Sequence, residues 1–190
     1  MRLYEIVVFL HIVGALGLFA GVGLEQLGLA RLRQARTVAQ LREWVATLGG
    51  LRRIDGPSGL LLLITGGYMV TARWGGHGWI GLALLGMMAM AFLSIGVTGR
   101  RVTAIKKSIP MADGPISTSL HQRIKDPVLR ASAWVRAALA FGILFNMSVK
   151  PGSVGASIVM AVALAVGVLF ATRAGIGRRV DAPHHQGAGA

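Results

Sequence analysis

At 190 residues the chain has the length of one domain, and 54% hydrophobic against 14% charged residues is too apolar for an ordinary water-soluble core. Twenty Lys and Arg against seven Asp and Glu give a formal charge of +13, which on a soluble chain points to nucleic acid; here the cations lie between apolar runs, without aromatic interleaving or a recognisable module, and nucleic acid is not an expected partner. The absence of cysteine excludes disulfide frameworks, thiolate metal sites, Fe–S clusters and a Cys nucleophile.

A hydrocarbon core of about 30 Å takes about 20 mostly apolar residues of helix, and five such runs occur in chain order. The first, 3–30, holds only Glu5, His11 and the Glu25-Gln26 pair as polar interruptions. Its apolar stretch is much longer than the hydrophobic region of a signal peptide, so it is expected to be retained. His11, Gly14, Leu18, Gly21, Glu25 and Gly28 follow a 3-4 spacing that puts them on one face, and such a glycine seam lets helix backbones approach closely in lipid. His11 and Glu25 are roughly 21 Å apart along the axis and cannot share a site. Glu25 is expected to pair with Arg31 or Arg33 at the membrane surface.

Residues 31–56 then form a loop whose Val38, Leu41, Trp44, Val45 and Leu48 make an amphipathic helical stripe, expected on the membrane surface or docked under the bundle. Gly56-Pro57-Ser58 opens the second span, 57–73, with proline at the first helical position. The third span is 79–99, followed by a flexible loop over 108–122. Asp126-Pro127 caps the fourth, 127–149, in which Arg136 is expected to stretch back to the surface along its aliphatic stem. A tight turn at Lys150-Pro151-Gly152-Ser153 leads into the fifth, 154–173. Residues 181–190, with His184-His185, are expected to be a disordered tail. Open strands cannot cross lipid and the runs lack the alternation of a barrel, so the fold is all-α, a polytopic five-helix bundle over 1–180.

Sixteen of the twenty cations fall in the 31–56 and 100–130 segments and from 173 onward, against Arg2, Arg73 and Lys150 on the other side and Arg136 within a span. This positive-inside pattern predicts the N-terminus outside and the C-terminus in the cytoplasm, with anionic lipid as a partner on the cytoplasmic side.

Depth along the helices places His11, Tyr68 and Asn146 near the outer ends of the first, second and fourth spans, with Arg73, His77 and Lys150 in the loops above. If the spans adjoin, these six converge on an outer-facing polar pocket, with Trp74 and Trp79 as interfacial anchors; otherwise each solvates its own helix end. His11 itself reads as a hydrogen-bonded imidazole between helices, as a haem or metal ligand, or as a group handling protons or small molecules. Met87, Met88 and Met90 read as gap-fillers, and nothing assembles into a metal site or a catalytic triad.

Leu10-His11-Ile12-Val13-Gly14-Ala15, the Leu61–Tyr68 stretch running into Arg73-Trp74, and Asn146-Met147-Ser148-Val149-Lys150-Pro151-Gly152 resemble an uncharacterised family of bacterial predicted integral membrane proteins that carries a domain of unknown function. The likeness covers most of the chain outside 103–125 and the tail, and it implies a multi-pass protein of the bacterial inner membrane. More distantly, a histidine early in the first span is similar to the copper-resistance D and membrane protoporphyrinogen oxidase families. The second associates membrane histidines with haem, which implies haem b on His11, with a methionine of the third span or an open position opposite. The expected functions are therefore a binding or accessory membrane protein without covalent chemistry, a haem- or metal-linked redox protein using His11, or a small transporter. It could act as a homo-oligomer through faces such as Gly81 and Gly96, or as a subunit of a membrane complex.

Overall fold

The structure is a computed structural model that describes residues 3–176; the predicted tail, His184-His185, Arg2, Arg178 and Arg179 lie outside the described residues. Helix α1 (Leu3–Gln34) turns at Ala35-Arg36 into α2 (Val38–Met69), whose start is capped by Thr37 and whose end widens into a π segment, Val70–Trp74. Helix α3 (Gly78–Phe92) runs through a second π segment, Leu93–Gly99, into α4 (Arg100–Lys107). A short α5 (Thr118–Ile124) precedes α6 (Pro127–Val149) and α7 (Ser153–Ile176). The described residues contain no β-strand.

Four helices are long and apolar enough to cross a membrane: α1, the continuous α3–α4 rod, α5–α6 and α7. Their outward surfaces are apolar, with Phe92, Ile95, Val154 and Phe9 among the exposed side chains. This is a multi-pass helical membrane protein. The expected second span, 57–73, is not among these four, where five were expected. Gly56-Pro57-Ser58 opens no helix, because α2 begins at Val38 and Pro57 lies in its interior. The amphipathic stripe of 31–56 and the second apolar run are one continuous helix, with Arg52, Arg53 and Asp55 at its middle.

Helix α1 packs along α2 and α6 along α7; α1 also lies against α6, which joins the two pairs, and α3 packs on α6 and α7. The glycine face of α1 is the α1–α2 seam: Gly14 faces Leu62 and Ser58, Gly17 faces Ser58, Gly21 faces Asp55 and Gly28 faces Leu48, with no room for a Cβ at Gly21 or Gly28 unless the facing side chain moves.

Two apolar cores result. One sits at mid-bundle around Val22, Ala83, Met90, Leu139, Ile143 and Met160. The other gathers the helix ends that carry the basic residues, joining Leu29 and Leu32 of α1 to Leu41, Val45 and Leu48 of α2, Ile105 of α4, Leu120 and Ile124 of α5 and Leu129 of α6. The amphipathic stripe therefore docks under the bundle.

The segment 108–117, expected to be flexible, is clasped to α2. Arg42 donates to the carbonyls of Pro110 and Met111, each at 3.1 Å, and pairs with Asp113, while the Val38 amide donates to the Gly114 carbonyl at 3.0 Å. Asp126 does cap α6, accepting from the Val128 amide at 2.8 Å, and also holds Arg101 at 2.6 Å. Lys150, at φ 53°, closes α6 in the left-handed conformation before Pro151, as a tight turn there requires.

Candidate functional site

The six residues expected in an outer pocket fall into four separate environments. At the end of the bundle opposite the basic one, Arg73 lies over the Tyr4 ring at 5.4 Å and Lys150 over the Trp74 ring at 4.0 Å, while His77 stacks on Trp79. Trp74 Nε1 donates to Tyr4 Oη at 3.1 Å, which ties the end of α2 to the start of α1. This cluster is the aromatic and basic edge expected where hydrocarbon gives way to headgroups.

His11 is not in it. Its Nδ1 lies 2.9 Å from Thr65 Oγ1, and the Thr65 hydroxyl donates at 2.6 Å to the Leu61 carbonyl. The Thr65 hydroxyl thus links the His11 imidazole of α1 to the backbone of α2. The ring edge also packs against Gly66.

Asn146 is fully buried against α7, where Nδ2 reaches the Ala156 carbonyl at 3.4 Å. Tyr68 stands at the surface, 37% exposed. His11 thus bridges the α1–α2 seam and lines neither of the two cavities described below. Among the described residues, no three His, Asp or Glu side chains gather closely enough to hold a metal ion.

The densest chemistry lies elsewhere, and the sequence reading did not assemble it. Glu25 forms an ion pair with Arg136 of α6 rather than with Arg31 or Arg33, and Arg136, only 3% exposed, points into the bundle instead of back to the surface. The neighbouring Gln26 donates to the Ala133 carbonyl at 2.7 Å, and Phe19 meets Phe141 edge-on, so α1 and α6 are joined along this line. A buried charge pair in a membrane is stable only when its partners are in place. Asp55 approaches the same group from α2, its carboxylate against Gly21, and its Oδ1 is buried without a hydrogen-bond partner. Arg136 Nε is likewise buried and unpartnered.

Two cavities meet here. A polar one of about 470 Å³ opens toward the basic end between Glu25, Arg52, Arg53, Asp55, Thr98 and Lys106. An apolar one of about 610 Å³ runs along Leu18, Val22, Leu60, Leu63, Met87 and Met88. Arg52, Asp55 and Ser94 line both, so the two cavities adjoin at these residues. Each is within the volume range of small-molecule sites.

The wall opposite α2 is the π segment Leu93–Gly99. Ser132 Oγ of α6 lies 3.3 Å from the Leu93 carbonyl and shares a hydrogen bond with Thr98 Oγ1 at 2.9 Å, which steadies a wide turn whose carbonyls are displaced from ordinary helical partners. Gly99 leaves the space that the Arg52 guanidinium fills. In α2, Pro57 cannot donate to the Arg53 carbonyl, so the helical ladder is interrupted at the level of the site. Irregular backbone at membrane depth is tolerated where it borders a cavity or other protein.

Fold and site define a helical multi-pass membrane protein with a two-chambered, amphipathic cavity. Comparison of the chain with protein-family models, with curated proteins and with solved structures finds no match in any of the three.

Proposed function

We propose that this protein is a binding protein of the bacterial inner membrane, without covalent chemistry of its own, that seats an amphiphilic molecule in the cavity between the α1–α2 hairpin and the α3–α4 rod. One observation carries the reading: a polar chamber and an apolar chamber share Arg52, Asp55 and Ser94, so a single ligand with one polar and one apolar part satisfies both. The π segment on the wall supports it, because such widened turns concentrate at functional sites.

The proposed topology has the N-terminus outside and the basic end in the cytoplasm. The sidedness of Arg and Lys supports this, and the resemblance to a bacterial membrane family supports the compartment. In this reading the second half of α2 passes through the bilayer with α1. Asp55 lies against Gly21 and Trp74 against Tyr4, so a slab that contains one segment contains the other. Arg52, Arg53 and Asp55 of α2 line a cavity rather than facing lipid alone.

The test is what copurifies. Solvent extraction of the detergent-purified protein is expected to release one amphiphile in near-stoichiometric amount, reduced at least tenfold in Gly59→Trp, which fills the apolar chamber. Equal amounts of a lipid mixture from both proteins would overturn the reading.

A further inference from the structure

The two chambers differ in depth as well as polarity, and the depth identifies the ligand class. Tyr4 and Trp74 mark one interface. At 1.5 Å per residue, Gly21 lies about 26 Å and Glu25 about 32 Å down α1 from Tyr4. A hydrocarbon core of about 30 Å therefore ends between them, at the level where Asp55 packs against Gly21. The apolar chamber lies on the hydrocarbon side of that boundary and the polar chamber on the headgroup side. A soluble metabolite has no use for the first, and a simple hydrocarbon has none for the second.

Charge then narrows the head group. Glu25 is neutralised by Arg136. What remains in the polar chamber is Arg52, Arg53 and Lys106 against Asp55 alone. None of these three cations lies within ion-pair distance of a carboxylate among the described residues. An excess of unpaired cations at headgroup depth, two of them arginines, is complementary to a phosphate. The Arg52 guanidinium lies against Gly99, where any side chain would displace it.

From this placement we infer that the cavity binds one anionic glycerophospholipid taken from the leaflet at the basic end, its phosphate among Arg52, Arg53 and Lys106 and an acyl chain along Leu60, Leu63 and Met88. This rests on the amphiphile reading above and specifies its ligand. Recognition combines a charge-assisted contact with lateral access from the bilayer, and neither part of the lipid suffices alone.

The test is native mass spectrometry of the full-length protein in detergent, titrated with phosphatidylglycerol, phosphatidylcholine, diacylglycerol and glycerol phosphate. One phosphatidylglycerol is expected per chain, retained at least tenfold more strongly than phosphatidylcholine, with neither the neutral diacylglycerol nor the tail-less glycerol phosphate held. Arg52→Gln and Lys106→Gln each lower phosphatidylglycerol retention about tenfold, the scale of one charge-assisted hydrogen bond. Leu63→Trp, at a surface position, blocks the acyl chain. Arg36→Gln, on the same basic end but outside both chambers, leaves retention unchanged and so separates a built site from general cation attraction. Equal retention of phosphatidylglycerol, phosphatidylcholine and diacylglycerol, all expelled by Leu63→Trp, would overturn the phosphate inference while leaving the amphiphile reading intact. Retention of no lipid at all would overturn both.

Discussion

Removing the charge of Arg136 leaves Glu25 buried without its partner and with Asp55 nearby, so Arg136→Leu should cost far more than an ordinary surface change. Breaking a buried pair by deleting one member costs about 3–5 kcal/mol, whereas replacing both members by apolar residues is often close to neutral. Thermal unfolding in detergent is expected to show a large loss for Arg136→Leu and substantial recovery in the double variant Glu25→Leu, Arg136→Leu. If the double variant is as unstable as the single, the pair is not what holds α1 to α6. For His11, the bond to Thr65 predicts a modest structural role: Thr65→Val should lower stability by about 0.5–1.5 kcal/mol, the net worth of one hydrogen bond.

At the scale of elements, the α1–α2 hairpin owes its closeness to glycine and its basic-end extension to a clasp. Arg42 is the hinge pin of that clasp, since one guanidinium holds two carbonyls and a carboxylate of the 108–117 segment. Arg42→Ala should leave helix content unchanged while amide exchange rises in 110–115 and at Val38, whose amide donates to Gly114; unchanged protection there would show that α5 packing alone pins the segment. The helices were legible in the sequence where periodicity and capping agreed: the 3-4 glycine face of α1, the Asp126-Pro127 start of α6 and the Lys150-Pro151 turn all stand where the residues put them. Pro57 misled because a proline at a first helical turn and one inside a helix look alike locally. Tertiary pairing of α2 with α1 decides between them, and no local pattern reports that.

The site escaped a residue-by-residue reading for a related reason. Glu25 and Arg136 are 111 positions apart, and each had a cheaper local explanation, a basic neighbour for one and a nearby surface for the other. The available signal was that one acid and one cation stood deep in apolar runs, and each needed a partner in lipid. Arg52, Arg53 and Asp55 were read as loop because the helix was expected to begin after them, and that assignment hid the polar chamber. The outer constellation was visible as interfacial residues, but packing distributes it among an aromatic edge, a helix seam, a buried asparagine and a surface tyrosine.

For the whole molecule, the proposed topology puts the Gly75-Gly76 turn and the 108–117 clasp on opposite sides of the membrane. The chain contains no native cysteine, so single cysteines at Gly76 and Gly114 can be labelled with an impermeant thiol reagent against no background. Labelling from the periplasm at the first and from the cytoplasm at the second is expected; reaction of both from one side would remove the α3–α4 crossing that separates them, and the reversed pattern would overturn the proposed topology and the depth argument with it. The most direct test of the central claim is a photoreactive side chain placed at Ser94, where the chambers join, compared with one at Phe92, which faces outward and is 71% exposed. Irradiated in intact membranes, Ser94 is predicted to capture one lipid species while Phe92 captures the bulk mixture. If both positions return the same mixture, the cavity is ordinary lipid-facing surface and the account fails.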